Sequence, residues 1–210
     1  MIMVTFLGAS VKEYLERYGK KSPEFNFPCP ICGNCRPHRH GHYERWAVDS
    51  NSEQRIPIYR YECQSQGHEE RTISLLPDFL WPFRSFMASF IERAICVRVE
   101  DSLSWGELLN MFNPHSHVVS LKTLKRWIRV ISSRAQKVTT DLFNLLLNVF
   151  PGLKLPPQKL TSRTEFAVKV LLSLVRFLCR ALSLTLKNTY FTSLPAFSLI
   201  HRMFGAKALL

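Results

Sequence analysis

The sequence predicts an α+β chain, mostly α. A small N-terminal β-hairpin comes first, then a trihelical domain, then C-terminal helices. Three observations carry this expectation. Residues 40–48 (HGHYERWAV) and 55–63 (RIPIYRYEC) alternate apolar or aromatic with polar residues on either side of DSNSEQ. That period of two marks a strand, a turn and a strand. From Phe83 the period lengthens: Phe83, Phe86, Met87, Phe90, Ile91, Ala94 and Ile95 follow helical spacing. The 210 residues suit one medium domain or two small ones. The composition shifts place boundaries near residues 80 and 150, giving units 1–80, 81–150 and 151–210.

The elements follow in order. SVKEYLERYGK (residues 10–20) reads as a short helix ending at Gly19, and KSPEFNFP as an extended lead-in to the hairpin. TISLLPDFLWP ends in prolines that break regular structure. Ser104 and Glu107 form an S-x-x-E capping box that starts a helix at WGELLNMF, and Asn113-Pro114 ends it. Ser120 is placed to cap SLKTLKRWIRVISSRAQKV. The apolar pattern resumes in DLFNLLLNVF and stops at Pro151-Gly152. GLKLPPQKLTS reads as a linker. Ser162 and Glu165 form a second capping box, opening a helix to about Lys187. A loop around Pro195 and a short final helix complete the chain.

Four of the six cysteines lie between Cys29 and Cys63, while Cys96 and Cys179 sit alone in apolar helical patterns as small core residues. Clustered cysteines with no signal peptide ahead of them favour a metal over disulfides. CPICG, from Cys29 to Gly33, has the form of a zinc knuckle. Two thiolates three residues apart grip one ion from a tight turn, and the glycine relieves the strain of that turn. A second knuckle after Cys63 would make the hairpin zinc-ribbon-like, but the position for its second thiolate is Gln66. A neutral amide is a poor zinc ligand. Three alternatives stay open: His68 completes a site with Cys29, Cys32 and Cys63; Cys35 or His38 moves in from the first loop; or the metal is lost. A closed four-ligand site is structural, with no open position for water. His40 and His42 read as surface histidines.

Net charge is +12, and it is unevenly placed. Residues 1–80 hold ten basic and ten acidic side chains, residues 81–137 nine and four, and residues 138–210 nine and two. The cysteine region is therefore balanced and the basic character lies downstream. On a helical wheel Leu121, Leu124, Trp127, Ile128 and Ile131 share one arc, opposite Lys122, Lys125, Arg126 and Arg129. With Arg134 and Lys137, residues 120–137 carry six basic side chains and no acid. Such a face is expected to contact double-stranded DNA, as the recognition helix of a helix-turn-helix-like unit. The connection from Asn113 to Val119 is longer than the usual turn of such a unit.

The run CPICG, HRHGHYERW, RIPIYRYEC and TISLLPDFLWPFR resembles an uncharacterised bacterial domain of transposon-associated proteins, a zinc ribbon fused to a helix-turn-helix. The likeness spans roughly residues 10–135. Its most specific parts are HRHG-x-YERW (His38 to Trp46) and SLLP-x-FL-x-P (Ser74 to Pro82), with SLKTLKRWIR resembling the basic third helix. The resemblance implies mobile-element or transposase-related DNA binding and a structural Zn2+ on Cys29, Cys32 and Cys63. The chain departs from the pattern at Gln66, where a cysteine is expected.

No catalytic activity is expected. A transposase needs separated carboxylates that hold two metal ions, and after Glu107 the acids are Asp141 and Glu165, both at helix starts. No P-loop or Ser/His/Asp set is present. The expected partners are duplex DNA and a second copy of the chain or a separate transposase. A non-catalytic interaction adaptor, using the hairpin and the apolar C-terminal helix, is the alternative. FAVKVLLSLVRFLCRALSLTL has the length of a membrane span, but Lys169, Arg176 and Arg180 interrupt it, so an amphipathic packing helix is expected. The expected location is the cytoplasm, on the nucleoid.

Overall fold

The structure is a computed structural model and describes residues 1–49, 52–65, 71–113, 119–149, 152, 164–187 and 194–209. Four strands and six helices form among these residues: β1 (Ile2–Thr5), α1 (Val11–Tyr18), β2 (His38–Val48), β3 (Glu53–Glu62), β4 (Thr72–Pro77), α2 (Ala88–Val99), α3 (Trp105–Phe112), α4 (Leu121–Val149), α5 (Thr164–Leu186) and α6 (Ala196–Phe204).

The strands make one mixed sheet in the order β1-β4-β3-β2. β1 runs parallel to β4, while β4 with β3 and β3 with β2 are antiparallel. This corrects the expected architecture. The hairpin is half of a larger sheet, completed by a strand that begins at residue 2 and by the TISLLP segment. The physical reason is burial. Ile73, Leu75 and Leu76 are all fully buried, so β4 lacks the polar alternation that betrays a half-exposed strand. The helices likewise do not form a separate trihelical helix-turn-helix unit. α4 is one helix of 29 residues that packs chiefly on α5, and α2 to α6 share a single apolar core.

The sheet has its own core, with α1 lying over β3. Ser10 caps α1, accepting from the Glu13 N–H, and Gly19 closes its far end. Tyr14 is fully buried and donates to the Pro57 carbonyl at 2.5 Å. That bond accounts for a proline inside a long strand. Pro57 sits opposite Glu44 on β2, while β4 pairs with β3 only at residues 60–62, so the other edge of Pro57 faces α1 and β4 does not need its missing N–H. Tyr59 and Tyr61 donate to the carbonyls of Tyr18 and Pro23 and pin the lead-in segment to the sheet.

The helical half shows the predicted capping box at α3: the Ser104 hydroxyl accepts from the Glu107 N–H, and the Glu107 carboxylate accepts from the Ser104 N–H. Ser104→Ala is expected to lower stability by about 1 kcal/mol. That is a fall in Tm of about 2–4 °C, readable by thermal melt; an unchanged Tm would show the box to be idle. Asn113 makes two hydrogen bonds across the connection that follows, to the N–H and the carbonyl of Val119. Ser120 then accepts from the Thr123 N–H as α4 begins. The expected second capping box begins at Ser162, outside the described residues.

The α2–α5–α6 contact holds a half-buried acid. Glu92 accepts from the Phe197 N–H at the start of α6, and Arg176 pairs with Glu100 at 2.5 Å while reaching Cys96. Burial pushes the Glu92 carboxyl up to about 7, against the pull of the α6 N–H groups and Arg176. The folded state therefore binds a proton that the unfolded state releases near 4.5, and stability falls as pH rises from there to about 7. Glu92→Gln keeps an acceptor and is expected to flatten that slope. Tm measured on both sides of the window checks this; parallel profiles for parent and variant would contradict it. Cys179 is buried beside this contact, as its apolar setting predicts, while Cys96 is half-buried. No helix among the described residues is long and apolar enough to cross a membrane.

Candidate functional site

Four cysteines converge where the lead-in loop meets the open end of β3 and β4. The Sγ atoms of Cys29, Cys32, Cys35 and Cys63 all lie within 4.8 Å of one another, and those of Cys35 and Cys63 are 3.5 Å apart. They could bind a metal ion. The loop is built for this convergence. The Gly33 N–H donates to the Cys29 carbonyl at 2.7 Å, closing the knuckle, and Gly33 sits at φ +75°, where a side chain would be strained. The Cys35 N–H then donates to the Cys32 Sγ at 3.3 Å. Two successive three-residue steps thus bring three thiols to one side of the loop.

Cys63 comes from the sheet. It directly follows β3, and its N–H donates to the Arg71 carbonyl at 2.8 Å, extending the β3–β4 pairing by one rung. The Arg71 guanidinium returns to the Cys63 carbonyl, with Nε and one terminal nitrogen each at 3.3 Å. Cys29 and Cys63 are buried, while Cys32 and Cys35 are half-buried. The thiols are not equivalent. A hydrogen bond from Ser65, joined by the Cys35 and Asn34 N–H groups, pulls the Cys32 thiol down to about 5. Burial pushes Cys63 up to about 11.

The predicted ligands fall out as follows. Cys29, Cys32 and Cys63 come together, and Cys35, expected only as an alternative, is the fourth member of the cluster. His38 is exposed on β2 and outside the cluster. Gln66 and His68 lie outside the described residues. The signal for Cys35 was the repeated spacing, C-x2-C-x2-C. His40 and His42 are exposed; His40 Nδ1 lies 3.3 Å from the Glu62 carboxylate. A bulge between Arg39 and Gly41 breaks the simple period of two there.

The basic residues of α4 are placed as the wheel predicts. Leu124, Trp127, Ile128 and Ile131 are buried, and Lys122, Lys125, Arg126, Arg129, Arg134 and Lys137 are all exposed. The buried arc packs hard: Trp127 meets Phe86 edge-on at 4.9 Å and Phe90 at 6.2 Å. The Lys125 Nζ lies 5.4 Å from the Trp105 ring centre, so α3 steadies one end of the exposed face.

The sheet and α4 meet through residues 81–87. Val48, the last residue of β2, exchanges backbone hydrogen bonds with Ser85 and Met87. Arg45 on β2 donates to the carbonyls of both Trp81 and Arg84. Sequence reasoning missed Arg45, because a single arginine in a strand carries no sign of what it will hold.

No curated protein and no solved structure matches the chain. The stretch that opens at the first clustered cysteine and closes at the buried tryptophan of α4, residues 29–127, matches the family model DUF6431, a domain of unknown function.

Proposed function

We propose that the chain is a non-catalytic, zinc-stabilised protein that binds duplex DNA, in keeping with its likeness to transposon-associated domains. The observation that carries the reading is the exposed face of α4. Six basic side chains lie along it between residues 122 and 137, with no acid among them. Ordinary surface helices mix signs, because opposite charges three or four residues apart stabilise a helix. A single-sign face gives up such pairs within the helix, and its charge is complementary to a phosphate backbone. DNA contact here does not depend on a helix-turn-helix: a long helix with one basic face can lie along a groove or across phosphates by itself.

Zinc is the metal the cluster suits. Four thiolates around one ion at Zn–S distances of about 2.3 Å stand about 3.8 Å apart, and four thiols within 4.8 Å of one another fit that spacing. A four-iron cluster spreads its cysteines over the corners of a cube, farther apart than this. The zinc role is structural. The ion would tie the Cys29–Cys35 loop to the end of β3, holding the β2–β3 hairpin against residues 81–87 and so fixing α4. Electrophoretic mobility or anisotropy measurements with a duplex of mixed sequence test the reading. Binding that weakens steeply with salt supports it, and no binding at low salt refutes it.

The adaptor reading keeps one observation in its favour. Phe177 and Leu184 on α5 are 48% and 81% exposed. A protein partner captured by the chain with no affinity for duplex would favour it.

A further inference from the structure

One cleft outside the cysteine cluster has an unusual lining. It lies between the turn at residues 81–84 and α4, and occupies about 230 Å³ counting its open mouth. Trp81, Trp127, Ile131 and Leu209 form its apolar walls, and Arg84 and Arg126 are the only charged groups lining it among the described residues. Neither arginine has an ion pair with a carboxylate among the described residues. Loss of water against the apolar walls, joined by repulsion from Arg126, holds the Arg84 guanidinium below its usual range.

The turn that presents Arg84 is held in place. Phe83 adopts φ +59°, a left-handed conformation that is strained for a bulky residue. The Arg84 N–H donates to the Trp81 carbonyl at 3.2 Å, and the Arg45 guanidinium bonds the carbonyls at both ends. Strain that surrounding groups over-determine is a mark of a functional site. Three arginines meet at this turn. Arg45 is matched by carbonyls, and the other two have no carboxylate partner among the described residues.

We propose that this cleft seats a phosphate oxyanion of a nucleic-acid backbone, gripped by Arg84 and Arg126 over the two tryptophans, with Arg45 as the positioning residue. This rests on the duplex-binding reading above and adds a contact to it. Arg126 lies one helical turn from Lys122 and three residues from Arg129, so the cleft continues the basic face of α4. Guanidinium suits the role, since its planar fork pairs with two oxygens of one phosphate. A free phosphate offers the same oxygens, and the test separates the two sources.

Duplex affinity is measured against salt for the parent chain, Arg84→Gln, Arg126→Gln and the control Lys12→Gln, whose side chain is 87% exposed on α1. Each cleft variant is expected to lower the slope of log K against log salt by about one, and affinity about tenfold at low salt. The control should match the parent. Arg84 makes no side-chain hydrogen bond among the described residues that folding would miss, and an unchanged far-UV spectrum verifies this. An Arg84→Gln slope equal to that of the parent overturns the proposal.

Trp81 and Trp127 also report on the cleft directly. Fluorescence titrated with inorganic phosphate, at ionic strength matched with chloride, should respond in the parent and not in Arg84→Gln. If the parent binds no duplex, the reading of the preceding subsection fails while this titration still decides the cleft. A response lost in Arg84→Gln keeps an anion site for free phosphate, and no response removes the site altogether. A phosphate response beside unchanged duplex slopes would overturn the nucleic-acid occupant.

Discussion

Replacing Cys63 with serine is expected to release the metal and lower Tm by roughly 8–16 °C. The figure follows from linkage. An ion held at a thousandfold over its dissociation constant stabilises the folded chain by about 4 kcal/mol, and each kcal/mol moves Tm by about 2–4 °C at this size. Cys63 is the most consequential of the four, because it is the ligand from the sheet and is fully buried at the end of β3. Serine would leave a buried hydroxyl among three thiols and unfasten the Cys29–Cys35 loop. Cys35→Ser is expected to act in the same direction, since Cys35 lies in the cluster 3.5 Å from Cys63 Sγ. His38→Ala should retain the metal, because His38 is exposed on β2. Metal content by atomic emission, alongside thermal melts, checks all three. One zinc per chain, lost in Cys63→Ser and Cys35→Ser and kept in His38→Ala, is the expected pattern. Retention of zinc in Cys35→Ser would show that another ligand completes the site. A four-iron cluster in place of a single ion would overturn the spacing argument.

The triple variant Lys125→Ala, Arg126→Ala, Arg129→Ala is expected to cost on the order of a thousandfold in duplex affinity at low salt. Three charge-assisted contacts at about 1.5 kcal/mol each give that figure. The salt slope should fall by about three, as three counterions are no longer released. All three side chains are exposed on one stretch of α4, and the arc beneath them, with Trp127 and Ile128, is untouched. Folding should therefore survive, with a small loss where Lys125 leaves the Trp105 ring. Titration of a fluorescent duplex at several salt concentrations reads both quantities. Unchanged affinity in a folded triple variant would place DNA contact elsewhere or remove it.

Much of the helical half was legible in the sequence, and the reason is local. The S-x-x-E box at Ser104 and the apolar spacing from Phe86 to Ile95 depend on neighbours within one or two turns. The same holds for the two arcs of α4 around Trp127. The β2–β3 hairpin was legible too, since its turn joins adjacent segments. The sheet as a whole was not. β1 is four residues long and pairs with β4 some seventy positions away, as in the pair Ile2 with Ser74. No local pattern announces such a partner. β4 has both faces covered, and its prolines suggested a break where the strand simply ends at Pro77.

The metal cluster was half legible. The spacing from Cys29 to Cys32 pointed to a knuckle, and Cys63 was matched to it across the hairpin. The symmetry of a two-knuckle ribbon points beyond Cys63 for a fourth ligand, to Gln66 and His68. The fold instead places Cys35 beside Cys63, because the loop takes a second three-residue step and turns back on the sheet. The Arg84–Arg126 cleft had no sequence signal, since its two arginines are 42 positions apart and meet only through the turn that Arg45 holds.

Binding of the parent chain to a mixed-sequence duplex, followed across salt, tests the central claim most directly. Six phosphate contacts along α4 predict a slope of log K against log salt of about −5. A slope near zero, or no complex at low salt, would contradict the account.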